Sequence, residues 1–244
     1  MKTSGNTILI TGGTSGIGLG FAEEFLKRDN KVIICGRRKN RLELIKEKHE
    51  NIITKVCDVG ISSQREELAA WVINNYPGTN ILVNNAGIQL PGDLGNEVDM
   101  ERVTREVDIN LIAPIHLTSL FIEHLKAKSE SAVINISSGL AFVPLAAVPV
   151  YCATKAALHS VTMSLRHQLR NTSVKVFEII PPSVDTELGS ERRADKSQSH
   201  GGIPVIEFVE ESMRALESNL SEAAIAGAKG LREKGDSFFH IMNG

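Results

Sequence analysis

The chain has 244 residues, a formal net charge of -2 and 42% hydrophobic residues, which suits one α/β domain with an extensive core. Near-neutral charge gives no polyanion signal, and the basic cluster Arg37-Arg38-Lys39 is too small to predict nucleic-acid binding. No apolar run reaches the ~18 residues that a membrane helix needs, and Met1-Lys2-Thr3-Ser4 shows no signal-peptide pattern, so a soluble cytoplasmic protein without membrane partners is expected.

Thr7-Ile8-Leu9-Ile10 reads as a short buried strand. It runs directly into Thr11-Gly12-Gly13-Thr14-Ser15-Gly16-Ile17-Gly18, after which Leu19 to Lys27 has helical periodicity. Strand, glycine loop and helix in that order bring backbone N–H groups and a helix N-terminus to a phosphate. Gly12, Thr14, Ser15, Gly16, Ile17 and Gly18 are therefore candidate dinucleotide contacts, on a spacing that differs from the commoner Gly-x-Gly-x-x-Gly. The second strand, Lys31 to Cys35, ends in Gly36-Arg37-Arg38 with no carboxylate for the ribose hydroxyls of NAD. Arg37, with Arg38 beside it, offers a planar cationic fork suited to a 2′-phosphate. This predicts NADP(H) as the preferred cofactor, with NAD(H) possible.

A helix over about 40–49 and a strand over 52–57 lead to Asp58 and Val59. Asp58 either offers an acceptor to an adenine amino group or caps the helix that begins near Ser62 or Ser63. Cys35 and Cys57 end apolar runs and Cys152 sits at a helix start, positions of buried thiols rather than of a disulfide framework or metal cluster. The helix from 62 stops at Pro77-Gly78, strand four is Ile81-Leu82-Val83, and Asn84-Asn85-Ala86-Gly87 follows. Small Ala86 and Gly87 let a flat ring lie against the chain and Asn85 can bond the backbone; a plain turn is the other reading. A long helix is expected over 99–126, with Asn110 and Pro114 inside it. Proline has no N–H, so the Asn110 carbonyl loses its helical partner. Either an ordered water fills that gap, touches Lys155 and leads a proton chain to solvent, or the site is a simple packed kink.

The apolar run Ala132 to Ile136 delivers Ser137 and Ser138 to a sheet edge. Tyr151 and Lys155 open the next helix, where positions four apart share a face with Cβ atoms about 5–6 Å apart. A phenol ionises near pH ~10, and an adjacent ammonium is expected to lower that value. Tyr151 thus becomes a candidate acid or base, with the Ser138 hydroxyl holding a substrate oxygen beside Leu140, Phe142 and Leu145. Strand six, Val174 to Ile180, ends in Pro181-Pro182, which fix the backbone and aim the Val184 main chain and Thr186 hydroxyl at a carboxamide or phosphate. Residues 188–205 have the polar, glycine-bearing composition of a mobile substrate lid. A helix over 205–217 and a short final helix over 230–243 complete the chain, and His116, His159 and His167 show no metal-ligand spacing.

In order, Thr11-Gly-x-x-x-Gly-x-Gly18, Asp58, Asn84-Asn85-Ala86-Gly87, Asn110, Ser138 and Tyr151-x-x-x-Lys155 resemble the short-chain dehydrogenase/reductase family in its compact single-domain form. The resemblance spans Asn6 to about Thr186, and the wording around Ser138 and Tyr151 is similar to the family's DltE-type branch. It selects Ser138 over Ser137, because the family serine lies thirteen positions before the tyrosine. It implies a Rossmann-type, doubly wound parallel sheet in a three-layer α/β/α domain over 1–244. It also implies hydride transfer between nicotinamide C4 and a carbonyl or alcohol carbon of a small molecule, Tyr151 as proton donor, and Lys155 bonding the nicotinamide ribose. A homodimer through helices 99–126 and 150–170, or a homotetramer, follows from the same likeness. Two departures stand out: Pro181-Pro182 replaces the usual Pro-Gly, and the common final strand ending in Asp-Gly-Gly is expected to be absent, replaced by 231–243. The competing class is an NADP(H) sensor with little turnover, against which the intact Ser138, Tyr151, Lys155 and Asn110 argue.

Overall fold

A computed structural model describes residues 1–189 and 201–244. Among these, seven strands form one sheet: β1 (Thr7–Thr11), β2 (Lys31–Gly36), β3 (Ile52–Val56), β4 (Thr79–Asn84), β5 (Ser131–Ile136), β6 (Val174–Ile180) and β7 (Glu222–Ala224). The spatial order is β3-β2-β1-β4-β5-β6-β7 and every neighbouring pair is parallel. Parallel strands are covered on both faces, which explains their near-continuous apolar runs. Side-chain alternation sends Ile8 and Ile10 into one core and Leu9 into the other. Helices α1 (Gly16–Lys27), α2 (Lys39–Lys48) and α7 (Val205–Glu217) supply Phe21, Phe25, Leu42 and Phe208 to the first core. Helices α3 (Ser62–Asn75) and α5 (Ala113–Lys126) supply Leu68, Val72, Leu117 and Phe121 to the second, beside α6 (Pro149–Gln168). The expected doubly wound Rossmann-type architecture is the observed one.

The sheet positions the site through its switch point. From β1 the chain winds outward to β2 and β3, then crosses to β4 on the other side of β1, so the carboxyl ends of β1 and β4 face a common crevice. Helix α1 leaves from that crevice and packs on α7 at Gly20, where a Cβ would come within 2.6 Å of Val205 Cγ1.

Several expected elements differ. The helix expected over 99–126 is α4 (Met100–Val107), a π-turn (Asp108–Ile112) and α5. Asp99 starts it, its side chain accepting from the N–H groups of Glu101 and Arg102 at 3.0 and 3.2 Å. Pro114 is preceded by this wider turn, in which the Ala113 N–H donates to Asp108 O. The seventh strand is present after all, at Glu222–Ala224 rather than at the end of the chain. Three residues, Glu-Ala-Ala, carry no apolar alternation, so only pairing with β6 defines it. The tail divides into α8 (Ala228–Lys234), a 3-10 turn (Gly235–Phe238) and α9 (Phe239–Asn243). The break falls at Gly235, where φ is +54°. Of the expected lid, 190–200 lies outside the described residues; its far end returns to the fold, with Ile203 N–H donating to Ser183 O at 3.0 Å. Among the described residues no helix is long and apolar enough to cross a membrane.

Phe21 lies 6.1 Å, centroid to centroid, from both Phe25 and Phe208 and so joins α1 to α7. Phe21→Ala is expected to destabilise the chain by about 3–5 kcal/mol, read as a drop in the urea midpoint; a loss below about 1 kcal/mol would show that this seam can collapse around the cavity.

Candidate active site

The carboxyl ends of β1 and β4 are locked together by side chains. Asn85 Nδ2 donates to Thr11 O at 2.9 Å and to Gly12 O at 3.3 Å. Thr11 Oγ1 accepts from the N–H groups of Asn85 and Ala86 at 3.0 and 3.1 Å. Asn84 to Gly87 is therefore a buttress for the glycine loop, not a plain turn. Gly12 needs its residue type twice over: φ is +67°, and a Cβ would meet Ala86 Cα at 2.8 Å.

Over this lock opens a cleft of about 1760 Å³, lined by the expected glycine-loop residues, Arg37, Arg38, Asp58, Val59, Asn85, Ala86, Gly87, Ser138, Tyr151, Lys155, Pro181, Val184 and Thr186. Its donors fit a dinucleotide. The α1 N-cap, Ser15, makes no side-chain cap bond and the first turn holds no acidic residue, so the positive helix end faces the cleft at Gly16, Ile17 and Gly18. At the other rim Arg37 is exposed, whereas Arg38 turns to the glycine loop, with Nη2 3.4 Å from Thr14 Oγ1 and 3.3 Å from Ser15 Oγ. Asp58 lines the cleft but does not cap α3, whose N-cap is Ile61. Its carboxylate pairs with Arg105 and accepts from the Gly60 N–H at 3.0 Å.

The far end holds the serine, tyrosine and lysine. Ser138 follows β5 and its Oγ accepts from the Leu140 N–H at 3.1 Å, while the Gly139 N–H donates to Pro181 O at 2.9 Å. The Pro181 carbonyl at the end of β6 thus anchors the serine turn. Tyr151 is 4% exposed and lines the cleft together with Ser138. Lys155 Nζ donates to Ile136 O at 2.8 Å and lies 5.7 Å from the Tyr151 ring centroid. The expected acidification of the phenol is not found. Burial pushes Tyr151 up to about 12, against which the Ser138 side chain pulls, and burial lowers Lys155 to about 8, against which Glu178 and Glu106 pull. In this geometry desolvation outweighs the pairing of charges.

Asn110 is fully buried behind the cleft rather than in its wall. Its carboxamide grips the backbone of Ile88, donating to O at 2.8 Å and accepting from N–H at 2.9 Å, and also donates to Thr154 Oγ1 at 3.2 Å. Gly87 fits between it and the lysine: a Cβ there would lie 3.3 Å from Asn110 Oδ1 and 3.7 Å from Lys155 Nζ. Leu140 and Leu145 line the cleft as expected, but Phe142 does not; it meets His159 edge-on at 4.7 Å and lies under Arg232.

Sequence reasoning missed the carboxylates behind the site. Glu106, 1% exposed, accepts from the Leu90 N–H at 3.0 Å. Glu178 is fully buried, with Oε2 2.8 Å from His159 Nδ1. A charged residue amid the apolar run of β6 was the available signal for Glu178, and the series Tyr151, Lys155, His159 at helical spacing was the signal for its partner.

A dinucleotide-sized cleft at the switch point of a doubly wound parallel sheet defines a nucleotide-binding α/β protein. A model of the short chain dehydrogenase family matches residues 6–197. The oxidoreductase DltE of Bacillus subtilis is 45% identical over 100% of this chain and 98% of its own length. The NADP-dependent 3-hydroxy acid dehydrogenase YdfG of Salmonella typhi is 33% identical over 76% of this chain and 75% of its own. A short chain dehydrogenase from Burkholderia cenocepacia in complex with NADP superposes with a TM-score of 0.82, at 25% identity over 96% of this chain and 94% of that one. One from Burkholderia phymatum in complex with NAD shares the fold at a TM-score of 0.86, with 19% identity over 100% and 97% of the chains. The chain belongs to the short-chain dehydrogenase/reductase family and is an oxidoreductase.

The buried lysine has a stability signature. Its value is about 8 in the folded chain against an ordinary 10.5, so the folded state binds fewer protons between these limits. Stability therefore rises with pH from about 8 to about 10.5, and is lost as pH falls through about 8. Urea midpoints of the wild type are expected to show this increment relative to Lys155→Met; identical pH dependence in the two would remove the buried-charge account.

Proposed function

We propose that residues 1–244 form one catalytic unit that reduces a carbonyl of a small molecule to an alcohol, or runs the reverse, with NADP(H) as preferred cofactor and NAD(H) possible. One observation carries this reading: a buried Tyr151 phenol and Ser138 together line one end of a cleft whose other end is an uncapped helix N-terminus and an arginine. The nicotinamide ring supplies or accepts the hydride. Every other part of the step belongs to the chain's own side chains.

Ser138 holds the substrate oxygen, and Tyr151 gives it a proton in reduction or takes one in oxidation. A phenol at about 12 keeps its proton until charge develops on the substrate oxygen. The Lys155 ammonium, pinned by Ile136 O, stabilises the phenolate as it forms and bonds the nicotinamide ribose. Asn110 is a positioning residue, holding Ile88 and Thr154 so that Gly87 and Lys155 keep their places, and on this reading it supports the water that relays the proton outward. The glycine loop carries the pyrophosphate, Asn85, Ala86 and Gly87 the flat rings, Asp58 and Val59 the adenine, and Pro181, Val184 and Thr186 the carboxamide. Arg38, with Arg37 at the rim, takes the 2′-phosphate. The NADP-dependent YdfG and the NADP-bound Burkholderia cenocepacia protein support this preference. Leu90, Leu140, Leu145, Leu231 and Met242 make the substrate end apolar. All three cysteines are free and buried, which suits a reducing cytoplasm.

NADPH oxidation against a panel of ketones, aldehydes and 3-oxo acids is expected to find a substrate, with kcat reduced about 10²–10⁴-fold by Tyr151→Phe. Turnover surviving that substitution would overturn the mechanism. The end of the π-turn and the outward faces of α5 and α6 carry Ile112, Ile115 and Met163, exposed by 38, 40 and 51%, and we assign them to a homodimer seam that a homotetramer would reuse. Light scattering should report a dimer or tetramer; a monomer at micromolar concentration would dismiss the seam.

A further inference from the structure

The arginine rim of the cleft already holds an anion, and that anion is the chain's own. Arg38 is the N-cap of α2 and Arg41 lies three residues on, so the two guanidiniums share one face of the first turn. Between them sits Glu187, from the segment that follows β6. Arg41 Nη1 donates to both Glu187 carboxylate oxygens at 2.8 Å, and Arg38 Nη1 reaches Oε2 at 3.4 Å. Arg38 Nη2 meanwhile lies close to the hydroxyls of Thr14 and Ser15 in the glycine loop. The bond from Arg41 holds the Glu187 carboxyl below its ordinary range. Glu187 is tied to the same corner from its other side, because Thr186 packs on Gly16, where a Cβ would meet Thr186 Cγ2 at 3.0 Å.

We infer that Glu187 is a built-in competitor for the phosphomonoester site formed by Arg38 and Arg41, occupying it until the 2′-phosphate of an adenine dinucleotide displaces it. The inference deepens the cofactor reading above and rests on it. The three side chains are 53, 39 and 34% exposed for Glu187, Arg38 and Arg41, so the ion pairs stand in water and are weak enough to exchange. A phosphate dianion brings more charge and three acceptor oxygens to the same donors, together with the Thr14 and Ser15 hydroxyls. A dinucleotide lacking that phosphate has nothing to exchange for the carboxylate and leaves Glu187 in place. Arg41, which does not line the cleft, thereby becomes a specificity-determining residue.

Calorimetric titration with 2′,5′-ADP and with 5′-AMP separates the possibilities, because the two differ only in the 2′-phosphate. The full chain should bind 2′,5′-ADP more tightly. Glu187→Gln should tighten 2′,5′-ADP by about two- to fivefold and leave 5′-AMP unchanged, while Arg41→Ala should weaken 2′,5′-ADP by about tenfold. If Glu187→Gln leaves 2′,5′-ADP binding unchanged, weakens it, or shifts both nucleotides equally, Glu187 is a strap between segments and the inference fails although the cofactor reading stands. If Arg41→Ala leaves 2′,5′-ADP binding unaltered, Arg41 has no part in the site. A wild-type chain with no preference for 2′,5′-ADP overturns the NADP(H) reading itself, and this inference with it.

Discussion

The site depends on one small lock, the carboxamide of Asn85 donating to the carbonyls of Thr11 and Gly12 while Thr11 Oγ1 accepts the N–H groups of Asn85 and Ala86. A parallel doubly wound sheet necessarily parts its loops at the switch point, leaving backbone polar groups at the ends of β1 and β4 without strand partners. Here they satisfy one another through two side chains, and the crevice stays open above them. A second set of bonds continues the fixation below: Asn84 Nδ2 donates to Asn135 Oδ1 and Asn135 Nδ2 to Thr162 Oγ1, each at 2.8 Å. That row ties β4 to β5 and β5 to α6, the helix that carries Tyr151 and Lys155. The glycine loop and the tyrosine thus belong to one hydrogen-bonded frame.

The cost of the arrangement is electrostatic. Lys155 is 4% exposed, held by a single carbonyl bond, and its affinity for a proton falls because water is excluded. Glu178 and Glu106 sit behind it as counterweights, and Glu178 is itself met by His159 one turn further along α6. The same exclusion of water raises the phenol, so the hydroxyl enters the cleft as a firm proton holder.

The motifs in the sequence were legible because each is local. Glycine spacing, the Tyr151–Lys155 interval and the residues at strand ends report backbone needs and helix faces that neighbours along the chain already fix. The helix over 99–126 was legible as to extent but not form, since Pro114 announces a missing donor without announcing the π-turn that precedes it. β7 was illegible because three small or polar residues become a strand only where β6 offers an edge. Phe142 was misplaced for a related reason: the 3-10 turn after Ser138 carries it out of the cleft and toward His159.

The sequence by itself determined an α/β chain, the order of its first six strands and the glycine-loop and Tyr151–Lys155 spacings, since these follow from periodicity and short intervals; the doubly wound sheet and the choice of Ser138 came from the family resemblance. Only the tertiary structure decided the protonation balance of Tyr151 and Lys155, the clamp of Asn110 on Ile88 and the meeting of Glu187 with Arg38 and Arg41. Each of these depends on how much water is excluded or on which distant residues converge. Glu187 lies 146 residues from Arg41, and no interval along the chain encodes their contact.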